Sequence, residues 1–142
     1  VAPRRNTFPR AHRLKRRRLI RPLFEPGRTD VGRVSVGVVQ VRYRVVPREA
    51  TGAGAPVQVA FAPGRRARTN VGRTRLRRLM RETYRLHQHG LLDLFAGRPD
   101  SLTAVVLFRG PETTAADDLR RDLPEVLRRL EARLPGAAAP AS

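Results

Sequence analysis

The side chains best suited to chemistry in this chain are guanidinium groups, and they crowd into residues 65–87, RRARTNVGRTRLRRLMRETYRLH. Guanidinium forks meet phosphate oxygens two at a time and stack on flat bases, so a dense set of them suits a polyanion. On a helix starting near Val71, the usual turn of about 100° per residue puts Leu76, Leu79, Met80, Thr83, Tyr84 and His87 on one side. Arg77, Arg78, Arg81 and Arg85 fall on the other, and Thr74 projects from that basic side between Arg73 and Arg75. A merely solvated helix face mixes signs and gains from acid and base pairs four residues apart. Here Glu82 is the sole acid. So many like charges repel one another unless a polyanion answers them, which makes this face a docking surface for phosphates and the segment an RNA-binding element.

Other chemistry is poorly provided for. A protein nuclease needs carboxylates clustered on metal ions, or a histidine pair set as acid and base. The acids are scattered, and Asp117, Asp118 and Asp122 fall early in the last helical segment, where negative charge suits the helix dipole. His87 and His89 are two apart and point in different directions on a helix, and no glycine-rich phosphate loop precedes a helix. The absence of cysteine closes disulfide, zinc-knuckle and thiol-nucleophile readings. No catalytic constellation and no metal site of the protein's own is expected.

Composition points the same way. The 142 residues suit one domain with a modest core. Thirty Lys and Arg against twelve Asp and Glu leave a formal charge of +18, which belongs with a nucleic acid or, less often, an anionic membrane. All but Lys15 of the thirty are arginine, a choice that suits phosphate and base contacts in RNA. No apolar run approaches the roughly 18 to 20 residues that span a bilayer, and the start lacks the apolar core of a secretory signal. A soluble, cytoplasmic protein is expected.

The elements that must position these groups can be read in order. Residues 1–13 carry prolines and arginines without an apolar period and read as a flexible basic arm. Leu19, Ile20, Leu23 and Phe24 suggest a short helix within residues 14–24, ended by Gly27. Residues 33–46 alternate as a strand with a phase slip beside Gly37, a bulge or bend, and Gln40, Arg42 and Arg44 face away from the valines and Tyr43. A loop over 47–56 precedes a second strand, 57–61, and the basic helix follows, capped by Thr69 or Asn70. Residues 90–101 read as a linker with a small apolar patch, and 102–108 as a buried central strand. From Thr114 an amphipathic helix runs to Leu134, with Pro124 expected to kink or split it near Asp122. Residues 14–134 then form a single RNA-binding domain of the α+β class, in the order α-β-β-α-β-α with helices packed on one sheet, and 135–142 a disordered tail.

Taken together, several motifs resemble the protein subunit of bacterial ribonuclease P, over residues 14–134. They are the strand 57–61, the basic pair Arg65-Arg66, the triplet Arg73-Thr74-Arg75, and its continuation Leu76-Arg77-Arg78-Leu79-Met80-Arg81-Glu82-Thr83-Tyr84-Arg85. Arg13-Leu14-Lys15 and Leu23-Phe24 followed by Gly27 resemble the family's opening. Thr74 stands where the family usually has asparagine, and Ile20 where an aromatic is common. The resemblance implies a sheet flanked by helices with a left-handed βαβ crossover, shared with a domain of a ribosomal protein. It also implies an accessory role in an RNA-based endoribonuclease that cleaves precursor tRNA to the mature 5′ end. The RNA subunit would hold the catalytic Mg2+, the protein would bind no cofactor, and no membrane or obligate protein partner is implied. By position, Arg68, Arg73, Thr74, Arg75, Arg77, Arg78, Arg81 and Arg85 would dock on the catalytic RNA. Ile20, Phe24, Tyr43, Arg65 and Arg66 would hold the single-stranded 5′ leader. A structural ribosomal-type RNA-binding protein is the alternative, and a nuclease with its own metal site is a third.

Overall fold

A computed structural model describes residues 7–52 and 54–134. A four-stranded sheet in the order β1-β2-β4-β3 divides the molecule, with β1 (Gly32–Val36), β2 (Val39–Pro47), β3 (Val57–Pro63) and β4 (Asp100–Phe108). β2 pairs antiparallel with β1 and β4, whereas β3 runs parallel to β4. The parallel pair needs a crossover. It is supplied by α2 (Asn70–His87) and α3 (His89–Ala96), and α4 (Ala115–Arg133) packs beside α2 on the same face. The other face carries α1 (Arg17–Ile20) and the 3-10 turn Arg21–Phe24 that continues it.

Two cores result. Val41, Val59, Leu102, Ala104, Val106 and Phe108 look toward Leu76, Met80 and Tyr84 of α2 and Leu119, Leu123 and Leu130 of α4. Across the sheet, Leu14, Leu19 and Leu23 close over Val46 and Val105. β4 is therefore buried on both faces, the reason its sequence is a continuous apolar run.

The element order differs from the sequence expectation in two places. The phase slip beside Gly37 is a hairpin, not a bulge within one strand: Gly37 turns at φ +54 and β1 folds back on β2. Asp122 secures the turn. Its carboxylate accepts the Val38 N–H at 3.2 Å and lies where a Gly37 side chain would be. The linker over 90–101 contains α3, which buries Leu91 and Phe95, a helix too short to display a period in sequence. The order is α-β-β-β-α-α-β-α. The loop over 47–56 contains a 3-10 turn, Arg48–Thr51. Helix α4 runs unbroken through Pro124, because buried Leu119, Leu123, Val126, Leu127 and Leu130 hold both halves on the core. Thr114 occupies the N-cap of α4, but its hydroxyl bonds Asp118 at 2.7 Å and caps no backbone N–H.

The described part of the arm, residues 7–13, is pinned to the fold, contrary to the expectation of a flexible segment. Phe8 packs edge-on against Phe61 and Tyr84, with centroids 5.6 and 5.7 Å away. Gln58 donates to the Ala11 carbonyl at 2.9 Å, Arg13 bridges Val59, and the Leu14 N–H donates to the Val59 carbonyl at 3.0 Å. The arm thus covers the edge of β3. Residues 1–6 and the tail 135–142 lie outside the described residues.

Candidate nucleic-acid interface

Helix α2 starts where Thr69 accepts the Gly72 N–H at 2.9 Å, and Gly72, Leu76, Met80 and Tyr84 form its buried stripe. Burial pushes the Tyr84 hydroxyl pKa well up, so it stays a neutral phenol in the core. His87, expected on this stripe, is exposed. The opposite side presents Thr74, Arg75, Arg77 and Arg78 to solvent, with Arg81 half-buried. None of these four arginines has an ion-pair partner among the described residues. Arg85 is held by Glu82 at 2.7 Å, and that bond, with the charges of Arg81 and Arg78 added, keeps the Glu82 carboxyl below its ordinary pKa. Asn70, Val71, Thr74, Arg75 and Arg78 line an open depression of about 410 Å³ on the first turns. Val71, 71 % exposed, gives it an apolar spot that polarity reasoning passed over.

Arg73 does not share this face. Its guanidinium folds back and donates to the carbonyls of Gly64 and Ala67, both at 3.1 Å, and of Pro63 at 3.3 Å. It ties down the loop that joins β3 to α2 and so places the helix. Arg68, Arg65 and Arg66 stand exposed on that loop.

The residues expected to hold a single strand are only partly brought together. Ile20 packs against the smaller core beside α1, and Phe24, 43 % exposed, has the Arg42 guanidinium 5.1 Å from its ring centroid. Tyr43 is not there. Consecutive strand residues point to opposite faces, so if Arg42 meets Phe24, Tyr43 must face the helices. It packs on the larger core and covers Gly32, its partner on β1. Beside Phe24 on this face of the sheet stand residues that the site expectation left out: Gln40, Arg42 and Arg109, with Arg33 alongside. The alternation that separates Arg42 from Tyr43 was their signal in the sequence.

Among the described residues, no three His, Asp or Glu side chains gather as a metal site, and no helix is long and apolar enough to cross a membrane. An unneutralised arginine face and a second basic patch with an exposed aromatic are the features of an RNA-docking protein.

The particular family follows from comparison. A family model described as Ribonuclease P matches residues 8–131, and the chain belongs to that family. A solved structure of the Staphylococcus aureus RNase P protein shares the fold, at a TM-score of 0.55 and 14 % identity over 84 % of this chain and 94 % of that one. No curated protein matches. The chain is thus an accessory protein of an endoribonuclease that matures the 5′ end of tRNA, within an RNA–protein complex. The ribosomal-type alternative is not favoured.

Proposed function

We propose that the outer face of α2 docks on the catalytic RNA through Arg75, Arg77, Arg78 and Arg81, assisted by Arg68 and Thr74. The groove between α1 and the sheet, with Ile20, Phe24, Arg65 and Arg66 around it, holds the 5′ leader of precursor tRNA. The observation that carries this reading is the set of arginines on α2, Arg75, Arg77, Arg78 and Arg81, that no carboxylate among the described residues answers. Their charge lowers the repulsion between two polyanions, and Phe24 adds a stacking surface that tolerates any base. Magnesium at the scissile phosphate belongs to the RNA, since the acids of this chain are scattered or committed to arginines. The particle works in the cytoplasm without a further obligate protein.

Reconstitution tests this. The protein with its cognate catalytic RNA should cleave precursor tRNA at low magnesium, where either component alone does not. Cleavage by the protein with magnesium and no RNA would overturn it.

A further inference from the structure

The open face of β2 carries two arginines that are treated differently. Arg44 is answered by Asp30 at 3.0 Å, with Arg28 on the same carboxylate at 2.8 Å. Two residues earlier, Arg42 has no carboxylate among the described residues. Its cross-strand partner is Arg33, a like charge directly opposite, which destabilises a strand pair. Arg109, just past the end of β4, joins them. Gln40, only 9 % exposed, holds two of the three guanidiniums. Its amide oxygen accepts from Arg109 at 2.8 Å and from Arg42 at 3.3 Å, while its nitrogen donates to the Ser35 hydroxyl at 3.1 Å. Burial first, then the charges of Arg33 and Arg109, push the Arg42 pKa down, so the cluster is short of negative charge. A sheet built for stability alone would place an acid here, as it does at Arg44.

We infer that Gln40 is a positioning residue that gathers Arg109 and Arg42, opposite Arg33, into a phosphate site on the open face of the sheet, and that a backbone phosphate of the tRNA leader fills it. This rests on the groove being the leader site. The amide keeps the guanidiniums side by side without neutralising them, and their remaining N–H groups are left for the phosphate oxygens. Phe24, against Arg42, then takes the adjoining base, so the groove holds phosphate and base by separate parts.

Gln40→Glu separates this role from a structural one. A carboxylate grips both arginines more strongly, so the thermal midpoint holds or rises, yet it supplies the negative charge that the phosphate would have brought. Holoenzyme reconstituted with Gln40→Glu should bind precursor tRNA roughly tenfold more weakly, as expected for one charge-assisted hydrogen bond, with mature tRNA unchanged. The log-log salt slope for the precursor should fall by about 0.7 for each leader phosphate that is no longer neutralised. Gln40→Met, which releases the arginines, should lose the same affinity with a lower midpoint. Phe24→Leu serves as the control for the groove. If Phe24→Leu weakens precursor binding and the Gln40 variants do not, the phosphate site is wrong and the leader groove stands. If none of the three changes precursor binding, both fall. Weakened binding of the Gln40 variants to catalytic RNA, with precursor selectivity intact, would also overturn the inference.

Discussion

Helices α2 and α4 are nearly the same length, 18 and 19 residues, lie side by side on one face of the sheet, and bury similar apolar stripes. Their outer faces differ in kind. In α2 six arginines meet one acid, while in α4 five arginines meet five acids. Arg120 pairs with Asp117 at 3.5 Å, Arg121 with Asp118 at 3.3 Å and Asp122 at 2.8 Å, and Arg129 with Glu125 at 3.2 Å, while Arg128 also pairs with Glu125. Apart from the one to buried Asp122, these are pairs three and four apart that serve a solvated helix. Arginine content therefore says little about where RNA docks. Charge left unanswered says much, because only it releases counterions when phosphates arrive.

The largest expected effect comes from making α2 resemble α4. Arg78→Glu with Arg81→Glu removes two docking cations and adds two anions to the face. Affinity for catalytic RNA should fall by roughly 100-fold or more, and the salt slope by about 0.7 to 0.9 for each phosphate that is no longer neutralised. Melting temperature should hold. The matched change on α4, Arg120→Glu with Arg128→Glu, should leave RNA affinity within about threefold, since those arginines are already answered by carboxylates and do not dock RNA. Equal losses for the two helices would erase the distinction.

Next in size is the division among the acids of α4. Asp122 is buried and holds the hairpin turn, whereas Asp117 is exposed. Asp122→Ala should cost about 1 to 3 kcal/mol in denaturant unfolding, and Asp117→Ala less than about 0.5. The Arg121 bond, with the Val38 N–H added, depresses the Asp122 pKa in the folded state. Its stabilisation is therefore complete above the ordinary carboxylate pKa of about 4 and is lost as pH falls through the lower folded value. Asp122→Asn should flatten that acid limb, and an unchanged limb would remove Asp122 from the turn.

A comparable but smaller loss of stability, about 1 to 2 kcal/mol, is expected for Arg73→Gln, which frees three loop carbonyls. Its salt slope in RNA binding should match the unaltered protein. A slope lower by about 0.7 or more would return Arg73 to the docking face.

The smallest effect, that of Tyr43, tests the reassigned aromatic. Because Tyr43 faces the helices over Gly32, Tyr43→Leu should change the preference for precursor over mature tRNA by less than about twofold, whereas Phe24→Leu should lose about 1 to 3 kcal/mol of stacking. A leader-specific loss at Tyr43 would reverse the assignment of faces.

What the sequence by itself determined is what depends on near neighbours along the chain. The buried stripe Leu76, Met80, Tyr84 and the basic face opposite follow from helical period, a cap at Thr69 or Asn70 from local hydrogen bonding, and the buried β4 from its unbroken apolar run. The opposed directions of Arg42 and Tyr43 were also legible, since strand residues alternate. What only the tertiary structure decided is what those groups meet. Arg73 has the same side chain as Arg75 and is its neighbour but one, yet three carbonyls of a folded loop claim it. Asp122 reads like Asp117 until a hairpin turn from the other end of the chain is set against it. Gln40, Arg42 and Arg109 become one cluster because β2 pairs with β4, bringing together side chains 69 residues apart, Gln40 and Arg109. Local period specifies which way a side chain points, but its partner depends on which distant strand or helix lies alongside, and that is settled by packing the core.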